Sequence, residues 1–256
     1  MVRVTTNPPL GTPNYIDLGI PDVERAKRFY GDLFGWSFQD LGPDAMGYQG
    51  VMVDGQMIAG LAEVSAEDTG GRHWWNLYFS TDDADATLKK ITDAGGEVVQ
   101  PAGDVFEHGR MAMVKDPSGA QFGLWQGKDM PGSGIVNEPG SFAWEELYTR
   151  DTARVTPFYQ AVFDLRPERI DAGPGMEYYA LNRPDGRPVG GIARGDRDIP
   201  MWLVYFEVED TDQAVRRVQD GGGELLDGPA ETPHGRIANV RDPFGVEFRV
   251  IHSTGQ

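Results

Sequence analysis

The chain is written twice. Phe29-Tyr30-Gly-Asp-Leu-Phe34 returns as Phe158-Tyr159-Gln-Ala-Val-Phe163, an offset of 129 residues (158 − 29). Trp75-Asn-Leu-Tyr78-Phe79 returns as Trp202-Leu-Val-Tyr205-Phe206, offset 127 (202 − 75). His108-Gly109-Arg110 matches His234-Gly235-Arg236, and Asp116-Pro117-Ser-Gly119 matches Asp242-Pro243-Phe-Gly245, both offset 126 (234 − 108 and 242 − 116). Near-constant offsets over separate blocks mean a tandem duplication, and a duplicated chain must fold as two copies of one plan. The join, Gly127 to Gly140, has the Pro/Gly/polar composition of a linker. The expected organisation is a first domain over 12–127, a linker over 128–140 and a second domain over 141–253.

Each half divides again. A strand over Asn14–Ile20 precedes a helix capped by Asp22, with Val23, Ala26, Phe29, Tyr30, Leu33 and Phe34 on one face and Gly35 as its left-handed stop. Strands are expected over Tyr48–Val53 and Met57–Val64. The plan restarts with a strand over Trp74–Ser80, a helix capped near Asp82 or Asp83, and strands near Glu97, Met111 and Gln121–Gln126. The second half repeats this, with Pro157 expected to kink its first helix or delay its start. The reading is α+β: four β-α-β-β-β modules in one chain.

Composition narrows the function. The 256 residues carry 40 Asp+Glu against 23 Lys+Arg, a formal charge of −17. So acidic a surface disfavours phosphate-rich nucleic acid and anionic membranes. The absence of cysteine removes disulfides, thiolate metal sites and a Cys nucleophile. No apolar run reaches the roughly 18 residues of a membrane span, and no signal peptide is visible, so the expected location is the cytoplasm.

The four modules, the Phe-Tyr-x-x-x-Phe helix, Gly-Gly-Glu after the next helix and Asp-Pro-x-Gly before the last strand together resemble the vicinal oxygen chelate superfamily. This is the glyoxalase, bleomycin-resistance and extradiol-dioxygenase group. The length and Gly123-Leu-Trp125-Gln126 are similar to its two-domain actinobacterial branch labelled hydroxylase-like or 27-kDa-antigen-like. The resemblance implies two glyoxalase-like domains with open, cavity-forming mixed sheets. How the modules pair, one with two or one with four, stays open.

In metal-dependent members, inward His or Glu side chains hold a divalent ion. The resemblance carries those positions to Tyr15, Asn76 and Gly123 in the first half and to Trp144, Leu203 and Arg249 in the second, with Gly60 and Gly191 near the fourth. These side chains cannot replace the imidazoles and carboxylates such an ion needs, so no metal and no other cofactor is expected. Strand alternation adds Asp17, Tyr78 and Trp125 to the first concave face and Glu146, Tyr148 and Glu247 to the second. The expected ligand-binding set is therefore Tyr15, Asp17, Asn76, Tyr78, Gly123, Trp125, Trp144, Tyr148 and Arg249. Glu146, Glu247 and His234 are the candidate acid–base groups, and Arg249 is either an anion anchor or a structural ion-pair partner. Gly60 and Gly123 are expected to leave the first half an open cavity.

Three functions fit: a metal-independent enzyme acting on a small aromatic or polyketide-like metabolite, a non-catalytic binder that sequesters a drug or metabolite, or a metal-dependent lyase or dioxygenase with relocated ligands. The expected partner is a small molecule, and the expected state is a monomer or homodimer.

Overall fold

The computed structural model describes residues 3–65, 67, 70–171, 173 and 175–254. Module one runs β1 (Pro13–Ile20), α1 (Val23–Phe34), β2 (Ser37–Asp40), β3 (Gln49–Val53) and β4 (Gln56–Glu63); module two runs β5 (Trp75–Ser80), α2 (Ala84–Asp93), β6 (Glu97–Val105), β7 (Gly109–Lys115) and β8 (Gln121–Gly127). The second half repeats this with β9 (Phe142–Thr149), α3 (Thr152–Phe163), β10 (Arg166–Ile170), β11 (Tyr178–Asn182) and β12 (Pro188–Arg194), then β13 (Met201–Glu207), α4 (Thr211–Asp220), β14 (Glu224–Thr232), β15 (Gly235–Arg241) and β16 (Glu247–Ser253).

Each half makes one eight-stranded mixed sheet, in the orders β2-β3-β4-β1-β5-β8-β7-β6 and β10-β11-β12-β9-β13-β16-β15-β14. The open question of pairing is answered: modules one and two share a sheet, as do three and four. The first strands of the two modules lie antiparallel at each centre, β1 on β5 and β9 on β13.

The helices cross between halves. α1 packs on α4, and α2 on α3. Close approach requires glycine at both junctions: a Cβ at Gly221 would come within 2.7 Å of the Phe29 ring, and one at Gly96 within 3.0 Å of the Phe158 ring. The duplicated Phe-Tyr pair thus makes the inter-half core. Tyr30 donates to Asp242 Oδ2 at 2.8 Å, and Tyr159 donates to Asp116 Oδ2 at 3.0 Å. The other oxygen of each aspartate accepts backbone N–H groups of its own Asp-Pro-x-Gly turn. Each turn aspartate therefore ties its loop to the opposite half, and burial raises both carboxyls above their ordinary range.

One local expectation is corrected, and two features come from the structure alone. Pro157 neither delays nor breaks α3, which runs unbroken over Thr152–Phe163 with Asp151 as its cap. That cap accepts from Arg154 N, so the first turn holds before the proline. The short edge strands β2 and β10, polar and mostly exposed, carry no alternation that marks them. The 128–140 segment is packed rather than loose: Ile135 is buried, Trp36 Nε1 donates to Gly140 O at 2.6 Å, and Ser133 N to Asn14 O at 2.7 Å.

Candidate functional site

On the concave face of the first sheet, β1 projects Tyr15 and Asp17, and the neighbouring β5 projects Asn76 and Tyr78. The registers Tyr15↔Tyr78 and Asp17↔Asn76 bring these four side chains together. Asp17 Oδ1 accepts from Asn76 Nδ2 at 2.9 Å; Oδ2 accepts from Tyr78 at 2.9 Å and from Tyr48 at 3.3 Å. Tyr48 also meets the Tyr15 hydroxyl at 3.1 Å. Trp74 Nε1 donates to Asn76 Oδ1 at 2.9 Å, which fixes the amide so that its N–H faces Asp17. Burial pushes the Asp17 carboxyl up, and the three donors only partly offset that. The carboxyl sits deep among these donors, and no cation stands beside it among the described residues.

The second half builds the same cluster with one addition. Glu146 Oε1 accepts from Tyr178 at 2.9 Å, and Oε2 accepts from Tyr148 at 2.7 Å and from Tyr205. Trp144 Nε1 donates to the Tyr178 hydroxyl at 3.3 Å. Arg249 reaches in from β16, donating to Glu146 Oε2 at 3.1 Å and to the Tyr205 hydroxyl. Its guanidinium lies 5.0 Å from the Tyr148 ring centre and 4.9 Å from that of Tyr205, within cation–π range. Burial works against the Arg249 charge, but the surrounding Tyr205, Tyr148 and Glu146 oxygens win and raise its pKa. Glu146 is 8% exposed.

The predicted residues divide accordingly. Tyr15, Asp17, Asn76 and Tyr78 converge; so do Trp144, Glu146, Tyr148 and Arg249. Trp125 stacks near Tyr15, with ring centres 6.2 Å apart, and donates to Met130 O, closing the buried end of the first cluster. The open first cavity is corrected. A Cβ at Gly60 would lie 1.8 Å from the Tyr48 hydroxyl, and one at Gly123 would lie 2.1 Å from the Tyr78 ring. The two glycines exist to admit those rings. Glu247 does not join Arg249: it pairs with Arg197 at 2.6 Å and Arg241 at 3.1 Å. Although partial burial pushes it up, those arginines hold its carboxyl below the usual range. His234 is exposed in the β14–β15 turn, bonded through its backbone to Thr232 and Thr254, and touches neither cluster.

Sequence reasoning missed Tyr48 and Tyr178. They are themselves a duplicated pair, offset 130 (178 − 48), and each lies two residues before the partner of a cluster glycine, in the registers Gly50↔Gly60 and Ala180↔Gly191. Alternation alone puts their rings over those glycines. Surface hollows lie elsewhere: one of about 590 Å³ beside Arg169, Glu177 and Arg194, another of about 230 Å³ beside Ser118, Arg150 and Arg197. Neither is lined by Asp17 or Glu146.

The sequence pattern of the Glyoxalase/Bleomycin resistance protein/Dioxygenase superfamily matches residues 12–124 and again 141–250. The chain belongs to this superfamily. It is similar to CFP32 of Mycobacterium tuberculosis, at 35% identity over 251 residues and 96% of each chain. The anthracycline biosynthesis protein DnrV of Streptomyces peucetius is 37% identical over 259 residues, covering 94% of this chain and 93% of its own. Among solved structures, the Mn(II)-bound glyoxalase of Novosphingobium aromaticivorans superposes with a TM-score of 0.65 at 17% identity, over 94% of this chain and 82% of that one.

The ion of metal-dependent superfamily members does not fit the residues present here. The corresponding positions hold phenol, amide, glycine, indole, leucine and guanidinium, and each cluster offers one carboxylate surrounded by hydroxyl donors. Among the described residues no group of three or more His, Cys, Asp or Glu converges to supply an alternative set. No helix among them is long and apolar enough to cross a membrane.

Proposed function

We propose that this superfamily member works without a metal, acting on a small aromatic or polyketide-like metabolite at the Asp17 cluster of its first half. The observation that carries the reading is the state of that carboxyl: held by Tyr48, Tyr78 and Asn76, raised above its ordinary range, and without a cation. A carboxyl tuned towards neutrality exchanges protons efficiently with a ligand group brought within hydrogen-bond reach. The phenols beside it add polar and flat apolar contact area. The printed name of DnrV, a protein of anthracycline biosynthesis, supports an aromatic polyketide-like ligand. On this reading the chain needs no cofactor, its partner is a small molecule rather than nucleic acid or membrane, and it works in the cytoplasm as a monomer or homodimer.

The test is mass spectrometry of any compound retained after gentle purification, followed by its solvent-deuterium exchange with wild-type protein and with Asp17→Asn. Loss of exchange in the variant supports the reading; exchange and affinity both unchanged overturn it. A second reading, sequestration without chemistry, is favoured by the aromatic character of the first sheet's face, where Tyr15, Tyr78 and Trp125 cluster. It predicts Asp17-dependent affinity with no exchange. Stoichiometric metal lost on chelation, together with activity, would instead point to relocated ligands.

A further inference from the structure

We infer that the ligand presents a cation, a protonated amine or guanidinium, to Asp17. This deepens the reading of the Asp17 cluster as the ligand site and rests on it. The argument comes from the molecule's own duplicate. The second half shows what a carboxylate ringed by tyrosines receives on this scaffold: the guanidinium of Arg249, bonded to Glu146 and set against two tyrosine rings. In the first half the carboxylate is kept as Asp17 and two of the tyrosines as Tyr48 and Tyr78. The cation is not kept, because the position equivalent to Arg249 is Gly123. The position equivalent to Tyr148 is Gly19, against which Val64 packs, so the phenol that bonds Glu146 is missing as well.

The consequence is visible in charge. Both carboxyls lie deep among their donors, but only Glu146 has a cation beside it. A carboxylate desolvated on one side and hydrogen-bonded by three donors still lacks a counter-charge, and an opposite charge at contact distance is the strongest way to stabilise its ionised form. The Tyr48 and Tyr78 rings whose hydroxyls reach it are aromatic groups of the kind that attract ammonium and guanidinium groups. A net charge of −17 adds a long-range field that draws cations in and repels anions. Arg249 is less suited to the opposite role of anion anchor, since Glu146 already balances its charge through Nη1, although its buried Nε has no partner.

Two probes isolate the charge: tyramine, an aromatic ring with a primary ammonium, and N-acetyltyramine, the same ring without it. Calorimetric titration at neutral pH should show tyramine binding the wild type at least about tenfold more tightly, a 1.4 kcal/mol preference. Asp17→Asn should erase that preference while the thermal melt shows an intact fold. Lowering the pH should erode it in the wild type, as Asp17 takes up a proton. Equal affinity for the two probes, no saturable tyramine binding, or a preference that survives in Asp17→Asn would each overturn the cation. If both probes bind equally and both are lost in Asp17→Asn, the Asp17 site stands and only its cationic preference falls. Binding indifferent to Asp17→Asn removes the site itself.

Discussion

The two halves place a carboxylate at the same point of the same sheet, among tyrosines that arrive from equivalent strands, and then treat it in opposite ways. Glu146 is closed: Tyr148, Tyr178, Tyr205 and Arg249 use its oxygens, and its charge is balanced inside the fold. Asp17 is left open in charge: its donors are all neutral, and no cation reaches it among the described residues. The difference turns on two positions, Gly19 against Tyr148 and Gly123 against Arg249. One copy is thus self-liganded, while the other holds an acid with no counter-charge among the described residues.

The largest expected effect breaks the closed copy. Arg249→Ala leaves Glu146 as an uncompensated, nearly buried charge, and losing one partner of such a pair costs about 3–5 kcal/mol. Urea melts of Arg249→Ala and of Arg249→Ala/Glu146→Gln should show the second change recovering a good part of the loss. A single-variant loss under about 1 kcal/mol would mean that solvent already screens the pair, as at exposed sites.

Next in size is a feature the copies share. Gly60 and Gly191 lie beneath Tyr48 and Tyr178, where an added Cβ would approach the hydroxyls to 1.8 and 1.9 Å. Overfilling a packed site costs about 1–3 kcal/mol. Gly60→Ala and Gly191→Ala should therefore both lower the melting midpoint, and the second should lower it more, because Tyr178 is locked to Glu146 and Trp144 while Tyr48 has room to yield towards solvent. The reverse ranking would show that the first cluster is the more rigid one.

The architecture was legible because duplication prints each element twice. The Phe-Tyr helices, their aspartate caps and the Asp-Pro-x-Gly turns could be read one against the other. Edge strands β2 and β10 were not, since they bury too little to carry a pattern. The concave-face residues followed from alternation once Tyr15 and Trp144 were placed. The cross-half partners did not: nothing local tells Tyr30 that its hydroxyl will meet Asp242, 212 residues away. Nor does a glycine reveal whether it leaves space or makes way for a ring from the next strand, which is why Gly60 and Gly123 read as a cavity. Strand position places both Glu146 and Glu247 on the face of Arg249 without choosing between them; Glu146 takes it, and Arg197 and Arg241 take Glu247.

A pH-dependent effect distinguishes Ile16 from its counterpart Glu145. The first half places Ile16 in the core; the second places Glu145 there, 3% exposed, with no partner among the described residues and its carboxyl pushed up to about 8 by burial alone. The folded state thus holds a proton that the unfolded chain has released. Stability from this group is full below the ordinary glutamate pKa and is lost as pH rises towards about 8, at up to about 1.4 kcal/mol per pH unit. Glu145→Val should remove that slope between pH 5 and 8, bringing the second half into line with the first. Asp17, Asp116 and Asp242 are raised too and titrate in both proteins, so the difference between the two stability curves is the quantity to read. Parallel curves would show Glu145 to be hydrated or paired.

The smallest expected effect on stability is at the open carboxyl itself. Asp17→Asn keeps an oxygen for Tyr48 and Tyr78, sacrifices one donor contact to Asn76, and strands no opposite charge. At low pH the wild-type carboxyl is neutral in both folded and unfolded states, so the two proteins should differ by less than about 1 kcal/mol, the scale of one hydrogen bond. As pH rises past the ordinary aspartate range, the unfolded chain ionises before the folded one, because burial raises the native pKa. Wild-type stability then falls relative to Asp17→Asn, and the gap stops growing once the folded carboxyl has also ionised. Chemical melts at pH 4 and pH 7.5 should therefore show the variant gaining ground at the higher pH. A variant that instead loses several kcal/mol at pH 7.5, as Arg249→Ala is expected to, would show that Asp17 is already balanced by a charge within the fold, and the contrast between an open and a closed copy would be gone.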